Sequence, residues 1–355
     1  MSSIGNLVFF GGTLVYARWP LNFQYLDKEG PRPHWLNVTI FVFQIGVILA
    51  LLGAFMSFAY IASVVLTLTA VEESDTNTSI RQKDQDSNSS YKDDEDLKQS
   101  NPKPANAGFR STIRYLRSRG GIRACFRGFR MTLAIYGAEL AVSIIWTFIP
   151  MIRLMQPIWP IFLSLLTATW QMAWVHQVIA NKLSRSRPQR LLGFHNWSKV
   201  AHVAALQAIS FYVADAFFAV AVNFAQEFAG GIVGVDDNAS YESVFLFAAI
   251  CIVAGLLCVL ITLPALITFT RVAASMLPGE DDPIVPYDRT FDGKVKSESM
   301  GGTGRIGIKD AWYTFEKPAW EHYVKLSFTT YGILFPIAIA GVIVLLRSSV
   351  IAVGI

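Results

Sequence analysis

The chain has 355 residues, 53% of them apolar and only 16% charged, where soluble globular domains carry roughly a quarter charged residues. Lys and Arg number 30 against 26 Asp and Glu, a surplus too small to point to nucleic acid. With three cysteines and mean hydropathy of +0.40, the composition excludes a disulfide-stapled secreted domain and an ordinary soluble enzyme, and fits a chain solvated by lipid.

The N-terminal segment, residues 1–37, contains the apolar start MSSIGNLVFFGGTLVYARWP with no basic residue before it, so no secretory signal is expected. Crossing ~30 Å of hydrocarbon takes about 20 mostly apolar helical residues. Six stretches qualify in sequence order: within Val38–Ala70, Met131–Ile152, Ile158–Ala180, Ala201–Gln226, Val244–Thr270 and Leu326–Leu346. The fold class expected is all-α, a polytopic membrane protein with about six transmembrane helices. The first run is longer than a span needs, which predicts tilt or an extension beyond the lipid.

Between the first two spans, residues 71–109 are rich in Asp, Ser, Asn and Lys and poor in apolar side chains, the composition of a disordered loop. Arg110 to Arg130 then holds seven arginines in 21 residues. Arg110, Arg114 and Arg117 recur at helical spacing, as do Arg123, Arg127 and Arg130, with Gly120–Gly121 between the trios. This reads as an interfacial helix facing anionic headgroups, each basic residue being worth ~1 kcal/mol near such a surface. The next basic connection carries Lys182, Arg185, Arg187, Arg190 and Lys199, and the last, residues 271–325, carries Arg271, Arg289, Lys294, Lys296, Arg305, Lys309, Lys317 and Lys325. Opposite them stand Arg153 alone and a short acidic loop, residues 227–243. Counting Lys and Arg in this way places all three basic connections on one face and both termini on the other.

Polar residues inside the spans mark a candidate solute path. Thr132, Tyr136, Glu139, Ser143 and Thr147 form a stripe on the second span, and Ser164, Thr167 and Gln171 one on the third, with His176 near its basic end. Asp215 lies in the fourth span between Gln207 and Asn223. Glu139, Gln171, His176 and Asp215 are the residues expected to line a cavity, against the plainer role of interhelical hydrogen bonding. Cys251 and Cys258 are seven apart on one span, about 10 Å along a helix and too far for a disulfide. Gly302, Gly304 and Gly307 spell GxGxxG without the strand and helix a dinucleotide site needs. No HExxH, P-loop, GxSxG or paired-carboxylate pattern occurs, so no catalytic, cofactor or metal site is expected and the chain is not read as an enzyme. The expected partners are membrane lipids with anionic headgroups and an unknown small solute, not nucleic acid. The sequons at Asn37 and Asn238 fall on the non-basic side.

Two resemblances follow from these residues. The run GGIRACFRGF places Gly121 four residues before Phe126–Arg127–Gly128, which resembles the matrix-helix signature of mitochondrial carriers, and Pro264 followed by Arg271 resembles their odd-helix signature. In this sequence Gly120, Leu266 and Phe269 replace the acidic, acidic and basic members of those patterns. The resemblance implies three helix pairs around a central cavity, alternating access for a small solute, and the mitochondrial inner membrane, with a secretory-pathway membrane as the alternative. From Gly108 onward, TRVAASMLPGEDDPIVPYDRTFDGKV, GGTGRIGIKDAW and AWVHQVI also resemble a group of fungal multi-pass membrane proteins, some labelled ubiquitin carrier or ubiquitin conjugating. A conjugating enzyme needs an activated cysteine in a soluble α/β domain, and Cys125, Cys251 and Cys258 are not so placed. A non-transporting membrane scaffold, with the arginine helix as its working surface, is the expectation from a different class.

Overall fold

A computed structural model describes residues 6–10, 13–17, 34–72, 108–147, 159–181, 193–232, 241–279, 281–285, 287–295 and 302–353. A two-stranded antiparallel ribbon, β1 (Asn6–Phe10) and β2 (Thr13–Ala17), precedes helices α1 (His34–Val71), α2 (Phe109–Cys125), α3 (Phe129–Thr147), α4 (Trp159–Ile179), α5 (Phe194–Ile232), α6 (Tyr241–Ser275), α7 (Ile308–Tyr313) and α8 (Lys317–Val353). Helices α3 to α6 and α8 stand at the predicted positions because their runs of Leu, Ile, Val, Ala and Phe satisfy every backbone group within the helix. The segments 71–109 and 182–192, including Lys182, Arg185, Arg187 and Arg190, lie largely outside the described residues, as do Arg153 and Asn238.

Among the described residues, four stretches are long and apolar enough to cross a membrane: Val42–Val71, Phe109–Ile145, His195–Ala225 and Ala249–Ser275. The second takes in α2, whose arginines do not suit hydrocarbon, so its apolar part is α3. The expectation of six is met in part. Helices occupy all six positions, but α4 and α8 are not among the four. In α4 the reason is composition, since Ser164, Thr167, Thr169, Gln171 and His176 interrupt its apolar residues. The short acidic loop is also shorter than expected, because α5 continues to Ile232.

Helix α1 has 38 residues, about 57 Å at 1.5 Å per residue, nearly twice the hydrocarbon thickness. Among its described side chains burial is confined to one end: Val64, Val65, Leu68 and Val71 are buried, whereas Val42, Phe43, Leu49 and Met56 are exposed.

The chain divides into two compact units, and α1, α5, α6 and α8 contribute to both. One unit comprises Met1–Tyr60, Val213–Val259 and Phe328–Ile355. Within it Ala214, Val222, Ala225 and Ala254 are buried, and the Cys258 thiol donates to the Ala214 carbonyl at 3.1 Å. Val220, Phe224, Phe245 and Val253 are exposed, an apolar surface that water would not tolerate at this density.

The second unit, Ile61–Tyr212 and Leu260–Ser327, is a packed head. Its core joins Leu68, Met172, Ile179, Val203, Leu263, Ile267, Ile306 and Tyr323, all buried. Threonines are admitted to this core because each bonds its own helix: Thr69, Thr167, Thr268 and Thr270 donate to the carbonyls four residues before them at 2.8–2.9 Å. Ser164 donates to Ala204 at 3.2 Å and the Trp197 indole to Leu165 at 2.7 Å, tying α4 to α5.

Candidate functional site

In the head, α2 and the end of α4 both bond to the stretch that follows α6. The Tyr115 hydroxyl of α2 donates to the Ile284 carbonyl at 2.9 Å. Asn181, just past α4, donates its backbone N–H to Asp282 at 2.7 Å, and Ile284 returns one to Ile179 at 2.8 Å. The stretch after α6, expected as a plain loop, is therefore a folded cap. Arg289 donates to the carbonyls of Pro278, at 3.1 Å, and Asp281, and the Tyr287 hydroxyl donates to Ala274 at 3.1 Å. Burial pushes that phenol up to about 12, so it remains a neutral donor.

Within the cap, Asp288 gathers the backbone N–H groups of Thr290 and Asp292, each at 2.9 Å. This Asx turn holds Phe291 (φ 47°) and Asp292 (φ 59°) in the left-handed region, a conformation costing on the order of 1–3 kcal/mol for a non-glycine residue. The conformation sets the Phe291 ring over Arg271, whose guanidinium carbon lies 4.8 Å from its centroid and 5.3 Å from that of Phe315. Arg271 is only 6% exposed. It donates to the Ala70 carbonyl at the end of α1 at 3.5 Å, and to Thr314 Oγ1 and carbonyl at 2.8 and 3.3 Å. Glu72, Asp288, Asp292 and Glu316 line the small cavity, about 40 Å³, beside it. Arg271 is thus a buried cation that closes the end of α1, and Pro264 lies two turns earlier inside α6.

The arginine stretch is broken rather than continuous. Gly120 and Gly121 depart from helical geometry inside α2, which ends at Cys125, and α3 begins at Phe129. Gly121 (φ 65°) and Gly128 (φ 77°) make the two reversals, conformations for which glycine carries no Cβ penalty. Arg127 falls in the turn between them and does not share a face with Arg123 and Arg130. It is half-buried, donating from Nε to Gln177 at 3.4 Å and from Nη2 to Asn181 at 3.1 Å and to Ala180. These are the orphan carbonyls at the C-terminus of α4, where a cation also meets the negative end of the helix dipole. Arg110, Arg114, Arg117, Arg123 and Arg130 remain exposed, while Thr112, Leu116, Ala124 and Cys125 are buried beneath them. Phe126 and Phe129 pack edge to face at 6.2 Å, closing the turn.

The four residues expected to line a solute path are distributed as follows. Glu139 is half-buried on α3, among the exposed Leu133, Tyr136, Leu140 and Ile144. Gln171 donates to Thr167 of its own helix at 3.0 Å. His176, 1% exposed, donates from Nε2 to the Ala273 carbonyl of α6 at 2.7 Å, while its buried Nδ1 has no hydrogen-bond partner among the described residues. Asp215 is half-buried and belongs to the other unit. Neither of the head's two described cavities is lined by any of the four. Among the described residues no group of His, Cys, Asp and Glu is arranged to hold a metal ion. Gly302, Gly304 and Gly307 lie in the cap's irregular stretch leading to the six-residue α7.

Comparisons with protein-family models, curated proteins and solved structures found no match to this chain.

Proposed function

We propose that the protein is a six-span integral membrane protein whose head grips an anionic membrane surface through α2, a scaffold or lipid-organising role rather than a catalytic one. The supporting observation is the division of α2 into two faces: Leu116, Cys125 and the Tyr115 hydroxyl fix it to the head, and six of the seven arginines of Arg110–Arg130 are left outward. A helix held this way cannot turn its cations inward, so they act on whatever negative surface adjoins the head. Spin-labelled phosphatidylserine and phosphatidylcholine in reconstituted vesicles test this. The wild type should restrict the anionic lipid several-fold more, as ~1 kcal/mol per basic residue implies. Arg110→Gln/Arg114→Gln/Arg117→Gln should lower the preference, and unchanged selectivity in that variant refutes the reading.

Transport by alternating access is the second reading. It is favoured by Glu139 and Asp215, half-buried ionisable groups in apolar helices, and by Pro264 and Pro336 inside α6 and α8, which interrupt helix hydrogen bonding and permit bending. On this reading Glu139→Gln abolishes solute flux in proteoliposomes without lowering thermal stability. The carrier resemblance would place the protein in the mitochondrial inner membrane. Fractionation combined with a glycosidase shift at Asn37 or Asn238 separates that location from a secretory-pathway membrane.

A further inference from the structure

On the head, α5, α6 and α7 enclose a groove of about 320 Å³, within the size range of small-molecule sites. Its lining is largely apolar, with Leu206, Pro264, Ala265 and Ile308 joined by Ser210 and Thr268, and Ile209, Leu260 and Ile261 are exposed on α5 and α6. It therefore opens onto a surface fit for hydrocarbon. Trp312 and Tyr313, 40% and 79% exposed, stand at its rim, as amphipathic aromatics do at the level of lipid headgroups.

The same rim is cationic. Lys309 lines the groove. Four residues earlier Arg305 donates to His202 Nε2 at 2.5 Å, one turn of α5 before Leu206, and its charge is felt at Lys199. Because the guanidinium can only donate, His202 accepts and carries its own proton on Nδ1. No carboxylate lines the groove; Asp310 folds back toward Gly307, its Oδ2 3.0 Å from where a Cβ would stand. Lys309 thus stands in the lining with no acidic side chain there to balance it, and Arg305 reaches the turn of α5 just before Leu206 through His202.

We propose that this groove binds one anionic glycerophospholipid, with an acyl chain against Leu206 and Pro264 and its phosphate held by Lys309 and Arg305. The site is distinct from the arginine face of α2 and stands or falls separately from it. A neutral lipid would fill the slot but leave the cations unmatched, and a free phosphate would lack the apolar contact.

Native mass spectrometry of the full-length chain, delipidated in mild detergent and supplied with phosphatidylglycerol or phosphatidylcholine, tests this. The wild type should retain phosphatidylglycerol about thirtyfold better, the preference two basic groups at ~1 kcal/mol each can supply. Lys309→Gln, at an exposed position, should remove most of that preference, and Arg305→Gln the remainder. Leu206→Trp, which fills the groove, should lower retention of both lipids. In an Arg110→Gln/Arg114→Gln/Arg117→Gln background, Lys309→Gln should still lower retention of phosphatidylglycerol. Equal retention of the two lipids by the wild type overturns the proposal, as does full retention in both Lys309→Gln and Leu206→Trp, or displacement of phosphatidylglycerol by inorganic phosphate.

Discussion

Arg127 shows how one residue can belong to a pattern and depart from it. Its spacing from Arg123 and Arg130 is helical, yet the left-handed Gly128 turns it away from both and onto the carbonyls ending α4. A charged donor to an otherwise unpaired carbonyl is worth roughly 1.5–3 kcal/mol. Arg127→Ala should accordingly lower stability by about that amount, measured by thermal unfolding in detergent, while Arg123→Ala at an exposed position should change it by less than ~0.5 kcal/mol. Arg127→Lys should recover only part, because an ammonium group cannot span three carbonyls as the guanidinium fork does. Arg271 follows the same logic at the end of α1, with Phe291 and Phe315 in place of water around its charge. Both residues stand in carrier-like patterns, and both here close the end of a neighbouring helix.

Among the elements, the cap after α6 is the least expected. Its composition, with Gly, Pro, Asp and scattered Lys and Arg, suggests a solvated connection. Its order comes instead from specific bonds: Arg289 on two carbonyls, the Asx turn at Asp288, and the Tyr287 hydroxyl on Ala274. Tyr287 makes the cap sensitive to alkali. Its folded value of about 12 lies above the unfolded value near 10. The stability it contributes is therefore whole below pH ~10 and is lost as pH rises toward 12. Thermal unfolding measured from pH 9 to pH 12 should show this decline, and Tyr287→Phe should flatten it while weakening the fold by about 1 kcal/mol at neutral pH. The helices themselves were legible in the sequence. Their apolar runs fix type and position, and only the ends moved, as with α5 running on to Ile232.

For the whole molecule, the distribution of Lys and Arg predicts three basic connections on one side of the bilayer, and among the described residues Tyr115 of α2 bonds Ile284 and Asn181, just past α4, bonds Asp282. Ser118→Cys on α2 and Lys294→Cys on the cap should both react with a membrane-impermeant maleimide from the same face of sealed vesicles. Labelling of the two from opposite faces would contradict the arrangement.

Hydropathy determined an all-α, membrane-like chain and the positions of its helices, and charge placement predicts the grouping of its basic connections. These follow from local composition, because a bilayer solvates each segment one at a time. Tertiary structure alone decided which cations face outward and which seal helix ends, that Phe291 accepts a strained backbone to cover Arg271, and that α5, α6 and α7 leave a groove edged by Lys309. Those outcomes depend on carbonyls, rings and turns brought together from distant parts of the chain, and no window of sequence contains both members of such a pair.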